Sequence, residues 1–497
     1  MSETCDAAIV GSGPNGLAAA LVLARAGLQV EIFEAMDSIG GGCRTQELTL
    51  PGFHHDVCST VQSMVNLSPF FADVDVEKRG VRLLRPEVAF AHPLDGGRAA
   101  VVEGGVERTS AGLGSDGPAY ARLMTPFVDM ASSLVATVLA PLRSPPRNPV
   151  LMGRFALAGL PSATHLVKRF STPETQALLG GVSAHAMLAL EKPLTAAFGV
   201  FLTTTAHADG WPVIEGGSVG LVEALASDVV DAGGIVHTGR WIRSLNELPA
   251  ARAVLFDTST ETLASVAGDR LGARYRSALG RFQHAPGVCK VDWALDGPVP
   301  WTAPACRRAG TVHVGGTFEE VASAEADVLA GRHPEQPFCI VVQPSVMDNS
   351  RAPQGKATLW AYCHVPNGST VDMTSRIEAQ IERFAPGFKD LVLARTTTTA
   401  MQGEEHNPNY VGGDINGGAG TFRQTVFRPT MRWNSYRTGA KGIYLCSAST
   451  PPGGGVHGMC GLGAAKAVLA ECSRTLHTRR SEASPRRVVL LRPRKVR

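Results

Sequence analysis

Three glycines close to the N-terminus and an acid further along have the types and spacing that nucleotide recognition requires. Gly11, Gly13 and Gly16 follow the apolar run Ala8–Val10 and open a helical pattern, and Glu34 ends the next apolar run. Such glycines permit a tight turn, close approach of the backbone to a pyrophosphate, and close packing of helix on strand. The amides at the helix start carry the positive end of the dipole, and the acid can accept both ribose hydroxyls of an adenosine. The pattern predicts a dinucleotide site.

Two further loops combine glycine with residues that can contact a bound anion. Residues 39–45 contain three consecutive glycines and Arg44, which can neutralise a phosphate. Residues 453–463 contain six glycines just before an apolar helical pattern. Amides at that helix start would stabilise negative charge on a bound ring. His457 lies in this loop, where its ring can either face a substrate and move a proton or bond a loop carbonyl.

The composition indicates a multidomain globular protein without an electrostatic signature for nucleic acid. The chain has 497 residues, 44% of them hydrophobic, which suffices for two or three domains. The formal charge is +3, but residues 474–497 carry nine Lys or Arg and one Glu, so the rest of the chain is mildly acidic. We interpret this tail as disordered, either a solvated end or a peripheral contact with an anionic membrane. Ten cysteines without C-x-x-C spacing, and no long uninterrupted apolar run, favour a cytoplasmic location without a membrane span.

Periodic patterns place a second unit between parts of the nucleotide-binding unit. Residues 115–190 favour helices, whereas residues 288–296 and 357–365 alternate as half-buried strands do. Residues 235–245 are typical of a strand, with which the chain returns to the nucleotide-binding unit. His185, within the helical part, either packs in a core or contacts a ligand. These patterns predict an α+β unit inserted into the nucleotide-binding fold.

One strand of the inserted unit has an unusual aromatic face. Trp360, Tyr362 and His364 lie at alternate positions, which suits either the wall of a substrate cavity or a sheet face beneath a helix. The helix that follows begins with Ser375 and Glu378, whose spacing predicts a capping box.

The glycine-rich unit near the N-terminus, the loop of residues 39–45 and residues 442–469 together resemble the phytoene desaturase-like flavoproteins, which include carotenoid desaturases, carotenoid isomerases and retinol saturase. The resemblance extends over residues 7–472. It is closest to the branch named pyridine nucleotide-disulfide oxidoreductase domain-containing, in ALDGPVPW (294–301), NPNYVGGDINGG (407–418) and CSASTPPGGGVHGMCG (446–461). It implies an α/β fold in which a Rossmann-like FAD-binding domain, of the type found in amine oxidases and phytoene desaturases, carries an inserted α+β substrate domain.

The resemblance also implies FAD as the cofactor and no metal. Two positions depart from the family pattern: Gly42 stands where an arginine is frequent, and Ser447-Ala448 replace a Gly-Asp or Gly-Ala pair. The cofactor-binding residues implied by the resemblance are Gly11, Gly13, Asn15, Gly16, Glu34, Ala35, Gly41, Gly42, Arg44, Ile242, Ser449, Val456, His457 and Met459.

The resulting functional prediction is an FAD-dependent oxidoreductase, a dehydrogenase or desaturase. Hydride would pass from a C–C or C–N bond of a small apolar or amphipathic substrate to flavin N5, and the electrons to oxygen, a quinone or another acceptor. His457 is the candidate catalytic residue. Three alternatives remain open: an amine-oxidase-like enzyme that uses Trp360 and Tyr362, a redox-neutral double-bond isomerase, and a non-enzymatic interaction protein stabilised by flavin.

The predicted domain organisation is discontinuous. We assign residues 1–70, 214–286 and 430–473 to the FAD-binding domain, and residues 71–213 and 287–429 to the substrate domain. Residues 474–497 form the basic tail.

Overall fold

The strands of the computed structural model, which describes residues 4–141 and 144–482, form two large sheets and two small ones. In chain order the strands β1 to β16 are Thr4–Val10, Val30–Phe33, Thr45–Gln46, His55–Asp56, Leu83–Leu84, Val88–Leu94, Arg98–Glu103, Val213–Ile214, Ile235–His237, Ala250–Phe256, Gly287–Leu295, Ala309–Val314, Cys339–Val342, Ala357–Val365, Val392–Thr398 and Ile443–Leu445. The helices α1 to α17 are Pro14–Arg25, Pro69–Ala72, Val106–Gly112, Gly117–Val128, Ala131–Val138, Pro149–Gly159, Ala163–Val167, Pro173–Ser183, Thr195–Asp209, Val219–Asp231, Thr260–Ala267, Ala273–Leu279, Phe318–Leu329, Thr374–Phe384, Ala400–His406, Phe422–Phe427 and Met459–Glu482.

The first sheet is parallel throughout and has the strand order β16-β10-β1-β2-β9. Its central strand β1 is apolar in its second half, because helices cover both faces of a parallel sheet. Ala7 and Ile9 share a core with α1, α10 and α17, whereas Ala8 and Val10 share a core with α11 and α12. This doubly wound arrangement confirms the predicted Rossmann-like domain.

The strand predicted over residues 235–245 is much shorter than expected. β9 ends at His237, and the backbone amide of Arg240 then donates a hydrogen bond of 2.7 Å to the carbonyl oxygen of Glu34. This bond turns the chain out of the sheet, so that residues 240–243 line a cavity at the carboxyl ends of the strands.

The second sheet has the order β15-β11-β14-β13-β12-β6-β7 and is antiparallel except where β12 meets β6. Alternation directs one face, including Val291 and Leu359, into a core with α14. The opposite face, including Trp360 and Ile340, points toward helices α4, α8 and α9. The alternation predicted for β11 and β14 is therefore confirmed.

Helix α14 has an apolar buried stripe, formed by Ile377, Ile381 and Phe384, but the predicted capping box is absent from it. The helix begins after Met373, which makes no side-chain cap, and Oδ1 of Asp372 accepts a hydrogen bond of 2.8 Å from the amide of Thr374 in the first turn. Glu378 instead accepts a hydrogen bond of 3.0 Å from the indole Nε1 of Trp293. Because the sheet core engages this acid, the capping prediction was wrong.

The two large sheets use different parts of the chain. All strands of the first come from the three segments assigned to the FAD-binding domain, and all strands of the second from the two segments assigned to the substrate domain. Phe71, Val76 and Leu83, however, pack in the core of the first sheet although they fall in the segment 71–213. The domain boundaries stay a prediction.

The last helix is longer than the sequence suggested. α17 continues to Glu482, so residues 474–482, predicted to be disordered, lie in a helix that Leu, Arg and Glu favour. Residues 483–497, the rest of that tail, lie outside the described residues. Within the described part of the chain, none of the helices combines the length and the apolar character needed to cross a bilayer.

Candidate functional site

A cavity of about 790 Å³, here named the main cavity, extends from the carboxyl ends of β1, β2 and β10 to the second sheet. Its nucleotide end is lined by the glycine-rich turn, the residues after β2, and residues 240–243. Its other end, here named the distal chamber, is lined by residues that include Leu202, Trp211, Ile340, Val342, Trp360, Tyr362, His185 and Thr311. The size lies within the range of natural ligand sites, roughly 300–1,000 Å³.

The glycine-rich turn leaves no space for side chains. Gly11 has a φ of +97°, which favours glycine, and a Cβ on it would lie 2.8 Å from the carbonyl oxygen of Asp257. A Cβ on Gly13 would lie 2.6 Å from Oδ2 of Asp257, and one on Gly16 would lie 2.3 Å from the carbonyl oxygen of Gly11. The three glycines are therefore required by the close approach of β1, α1 and β10.

Asp257 is a site residue that sequence reasoning missed. It follows β10 directly, and its Oδ2 accepts a hydrogen bond of 2.7 Å from the backbone amide of Gly16 in the first turn of α1. Burial, together with the nearby charge of Glu34, raises the pKa of this carboxyl to about 7. Strand β10 adjoins β1 in a parallel sheet, and ligands bind where such strands end. An acid directly after an apolar strand was the signal that could have revealed it.

Glu34 lies on the other side of β1, at the end of β2. Its Oε2 accepts hydrogen bonds from the amide and the hydroxyl of Ser12, at 2.9 and 2.7 Å, and its Oε1 accepts one of 3.0 Å from the amide of Met36. The carboxylate is buried yet lines the main cavity, beside Ala35 and Ile242. The geometry places a carboxylate where the sequence predicted the ribose contact.

The loop of residues 39–45 folds over the glycine-rich turn. Arg44 is 4% exposed; its Nε donates to the carbonyl oxygen of Gly41 at 3.0 Å, and its Nη2 lies 3.2 Å from Nε2 of His406. A Cβ on Gly42 would lie 2.6 Å from the hydroxyl oxygen of Tyr410. The tyrosine thus occupies the space that a longer residue at position 42 would need, which explains the departure from the family pattern.

The glycine-rich loop before α17 reaches the main cavity, but its histidine does not. The ring of His457 is fully buried: Nε2 donates to the carbonyl oxygen of Gly453 at 3.2 Å, and Nδ1 accepts from the amide of Met459 at 3.1 Å. Burial lowers the pKa of His457 to about 4. Both nitrogens are engaged by loop backbone, which is the structural role that the sequence left open beside a catalytic one. The role of His457 as the catalytic residue stays a prediction, and this geometry does not favour it.

The structure brings most predicted cofactor residues to one surface. Gly16, His457 and Met459 do not line the main cavity; they hold the turn and the loop in place. The predicted residues that do line it are Gly11, Gly13, Asn15, Glu34, Ala35, Gly41, Gly42, Arg44, Ile242, Ser449 and Val456. Their role in cofactor binding stays a prediction.

Both interpretations of the aromatic face apply, each to a different part of β14. Trp360 and Tyr362 line the distal chamber, with ring centroids 5.7 Å apart and planes 13° apart. His364 instead lies beneath α13, where its Nδ1 pairs with Oε1 of Glu325 at 2.8 Å.

Comparisons with known proteins agree with this architecture. Residues 9–73 match the family described as NAD(P)-binding Rossmann-like domain. The chain is similar to pyridine nucleotide-disulfide oxidoreductase domain-containing protein 2 of Rattus norvegicus, at 25% identity over 94% of this chain and 93% of that protein. The fold is similar to an oxidoreductase from Methanosarcina mazei (TM-score 0.63, 17% identity, 94% of this chain, 100% of that one) and to putrescine oxidase bound to putrescine (TM-score 0.57, 17% identity, 96% and 100%).

The chain is an oxidoreductase with a Rossmann-like domain. The predicted resemblance to the pyridine nucleotide-disulfide oxidoreductase domain-containing branch is confirmed by the match over nearly the whole chain. The oxidoreductase relatives likewise support an enzyme rather than a non-enzymatic interaction protein.

Proposed function

We propose that this oxidoreductase uses FAD to remove hydride from an apolar substrate at a C–C or C–N bond. The observation that carries the proposal is the continuity of the main cavity: the same space is bounded by Gly13 and Glu34 at one end and by Trp360 and Tyr362 at the other. A dinucleotide along the first part would leave the distal chamber for a second molecule.

The residues at the nucleotide end fit an extended dinucleotide. Buried Asn15 has an amide Oδ1 without a hydrogen-bond partner among the described residues, and it lies in the first turn of α1, whose N-cap residue Gly13 has no side chain to cap the helix. Glu34 would take the ribose, Ile242 would border the adenine, and Arg44 would neutralise the pyrophosphate. Val456 and the following helix start would lie along the ring. When bound, FAD would supply the hydride acceptor.

The chain itself would contribute positioning and exclusion of water. Leu202, Ile340 and Val342 make the walls of the distal chamber apolar, and the broad rings of Trp360 and Tyr362 form one side. Removal of hydride from an activated carbon depends on orientation in a site that excludes water. This arrangement needs no acid or base at His457.

The aromatic pair gives little support to the amine-oxidase-like alternative. Two rings that hold an amine from opposite sides must face each other across the substrate. Trp360 and Tyr362 lie two residues apart on one strand, with nearly parallel planes, and so form a single wall.

An anaerobic screen tests the proposal. Purified protein is mixed with polyenes, neutral lipids and amines in separate cuvettes, and the flavin absorbance is followed. We expect bleaching with an apolar substrate and recovery with oxygen or a quinone. Product formation without bleaching would instead indicate the isomerase. Protein that carries no flavin, or flavin that no member of the panel bleaches, would contradict the proposal. Bleaching by amines alone would restrict the reaction to a C–N bond and favour the amine-oxidase-like alternative.

A further inference from the structure

Thr311 and His185 are polar residues of the distal chamber that the proposed function leaves unexplained. Thr311 is 2% exposed and lines the chamber, yet its Oγ1 has no hydrogen-bond partner among the described residues. His185 also lines the chamber. Buried polar groups normally have a partner, so an orphaned hydroxyl on a residue of the cavity wall is a group that a bound ligand would satisfy once the side chain turns toward it.

His185 is held by a second histidine. Its Nε2 lies 2.9 Å from Nε2 of His313, and the two rings meet edge to face, with planes 77° apart. His313 is two residues beyond Thr311 on β12, so both project from the same face of the sheet. Thr311 and the ring of His185 therefore belong to one corner of the chamber.

The histidine pair is uncharged. Burial lowers the pKa of His185 to about 3, and burial with the neighbouring histidines lowers the pKa of His313 well below its usual value. Two neutral rings that meet Nε2 to Nε2 share one proton, so one donates and the other accepts. The tautomer that results makes Nδ1 of His185 either an acceptor or a donor. The corner can therefore bind either a hydroxyl or a carbonyl oxygen.

The backbone around this corner is strained. Trp211, whose ring centroid lies 5.8 Å from that of His185, has a φ of 55°, and Met187, two residues after His185, has a φ of 51°. Bulky residues rarely adopt the left-handed region, and such strain concentrates at functional sites. The Nε1 of Trp211 donates to the carbonyl oxygen of Leu202 at 3.2 Å and to Oγ1 of Thr205 at 3.0 Å, which fixes the indole beside the imidazole.

Charged side chains do not line the distal chamber within the described residues; those of the main cavity lie at its nucleotide end. Lys290, whose Nζ lies 5.3 Å from the Trp360 ring centroid, is paired with Asp292. Glu325 is engaged by His364. An ammonium or a carboxylate in the chamber would find no counter-ion, and a buried unpaired charge is strongly unfavourable.

We propose that His185 and Thr311 bind the oxygen atom of a neutral, apolar substrate that carries a hydroxyl or carbonyl group. This inference rests on the proposed function, because it takes the distal chamber as the substrate site.

Calorimetric titration, which measures the affinity for four probes of equal chain length, tests this inference. The probes are octan-1-ol, 1-chlorooctane, octylamine and octanoate, added to purified holoprotein at pH 7. We expect octan-1-ol to bind about three- to tenfold more tightly than 1-chlorooctane, as one or two hydrogen bonds provide, and both charged probes to bind more weakly. His185→Phe and Thr311→Val should each reduce that preference about two- to tenfold and leave 1-chlorooctane affinity unchanged.

Leu202→Met, in the same chamber, is the matched control and should keep the preference. Valine has nearly the same shape as threonine, so we expect Thr311→Val to fold. If His185→Phe fails to fold, Thr311→Val still decides the test. Tighter binding of either charged probe, an unchanged preference in Thr311→Val, or no binding of octan-1-ol would overturn the inference. Flavin content is measured on the same samples: its absence would contradict the proposed function, whereas flavin without the alcohol preference would contradict this inference alone.

Discussion

Asp257→Asn should change how the stability of this protein depends on pH. The native carboxyl has a pKa of about 7 because it is buried near Glu34, compared with a usual value of 3.8. The native state therefore retains a proton that the unfolded chain loses between about pH 4 and pH 7. Over that window stability falls as pH rises, and above pH 7 the penalty is constant.

The size of the effect follows from the shift. About three pKa units at about 1.4 kcal/mol each give roughly 4 kcal/mol, an upper value because the surroundings can relax. Asparagine is isosteric and never ionises, and its amide oxygen can still accept from the Gly16 amide at the start of α1. The variant should therefore equal the native protein near pH 4 and exceed it increasingly up to pH 7.

Urea unfolding at pH 5 and pH 8, followed by tryptophan fluorescence, measures this difference. We expect the midpoint of the native protein to fall between the two pH values by more than that of Asp257→Asn. We also expect the variant to retain flavin better at pH 8, since an ionised acid beside the turn repels a diphosphate. Equal pH dependence of the two proteins would refute the reasoning.

Three further variants test the site and its support. His457→Ala should lower stability by about 1–3 kcal/mol through two lost hydrogen bonds, with an unchanged rate of flavin reduction in stopped flow; a slow variant of native stability would restore a catalytic role. Arg351 is fully buried and pairs with Asp56 and Asp348, so Arg351→Met should cost about 3–5 kcal/mol in urea unfolding, and a neutral result would show that these carboxylates are not charged. Gly42→Ala should lower the free energy of unfolding by about 1–3 kcal/mol, because its methyl group overpacks against Tyr410. Adding Tyr410→Phe to that variant should restore part of the lost stability. Equal melting temperatures of Gly42→Ala and the native protein would contradict that contact.

Local sequence patterns predicted the elements of the Rossmann-like domain well. Gly11, Gly16 and Glu34 lie within one short segment, where turn, helix and strand follow each other directly, and the structure shows them in the expected places. The alternation of β11 and β14 was also visible, because successive side chains of a strand point to opposite faces and the two faces here carry different residue types.

Long-range contacts decided the rest. The position of Asp257 directly after an apolar strand was a local signal, but its hydrogen bond to Gly16, 241 residues away, depends on how β10 and α1 meet in the fold. A motif located His457 in the right loop but could not tell that its ring turns toward Gly453 rather than toward the cavity. The capping box failed for the same reason, since a distant indole binds Glu378.

The central claim is that Glu34 and the glycine-rich turn hold FAD at one end of the main cavity. The most direct measurement is chromatography and mass spectrometry of the nucleotide released when purified protein is denatured, for the native chain and for Glu34→Ala. The native protein should release FAD in stoichiometric amount, and the variant should bind it about 1–3 kcal/mol more weakly, as expected for a charged hydrogen-bond partner. Release of a nicotinamide dinucleotide, or full FAD retention by Glu34→Ala, would contradict the account.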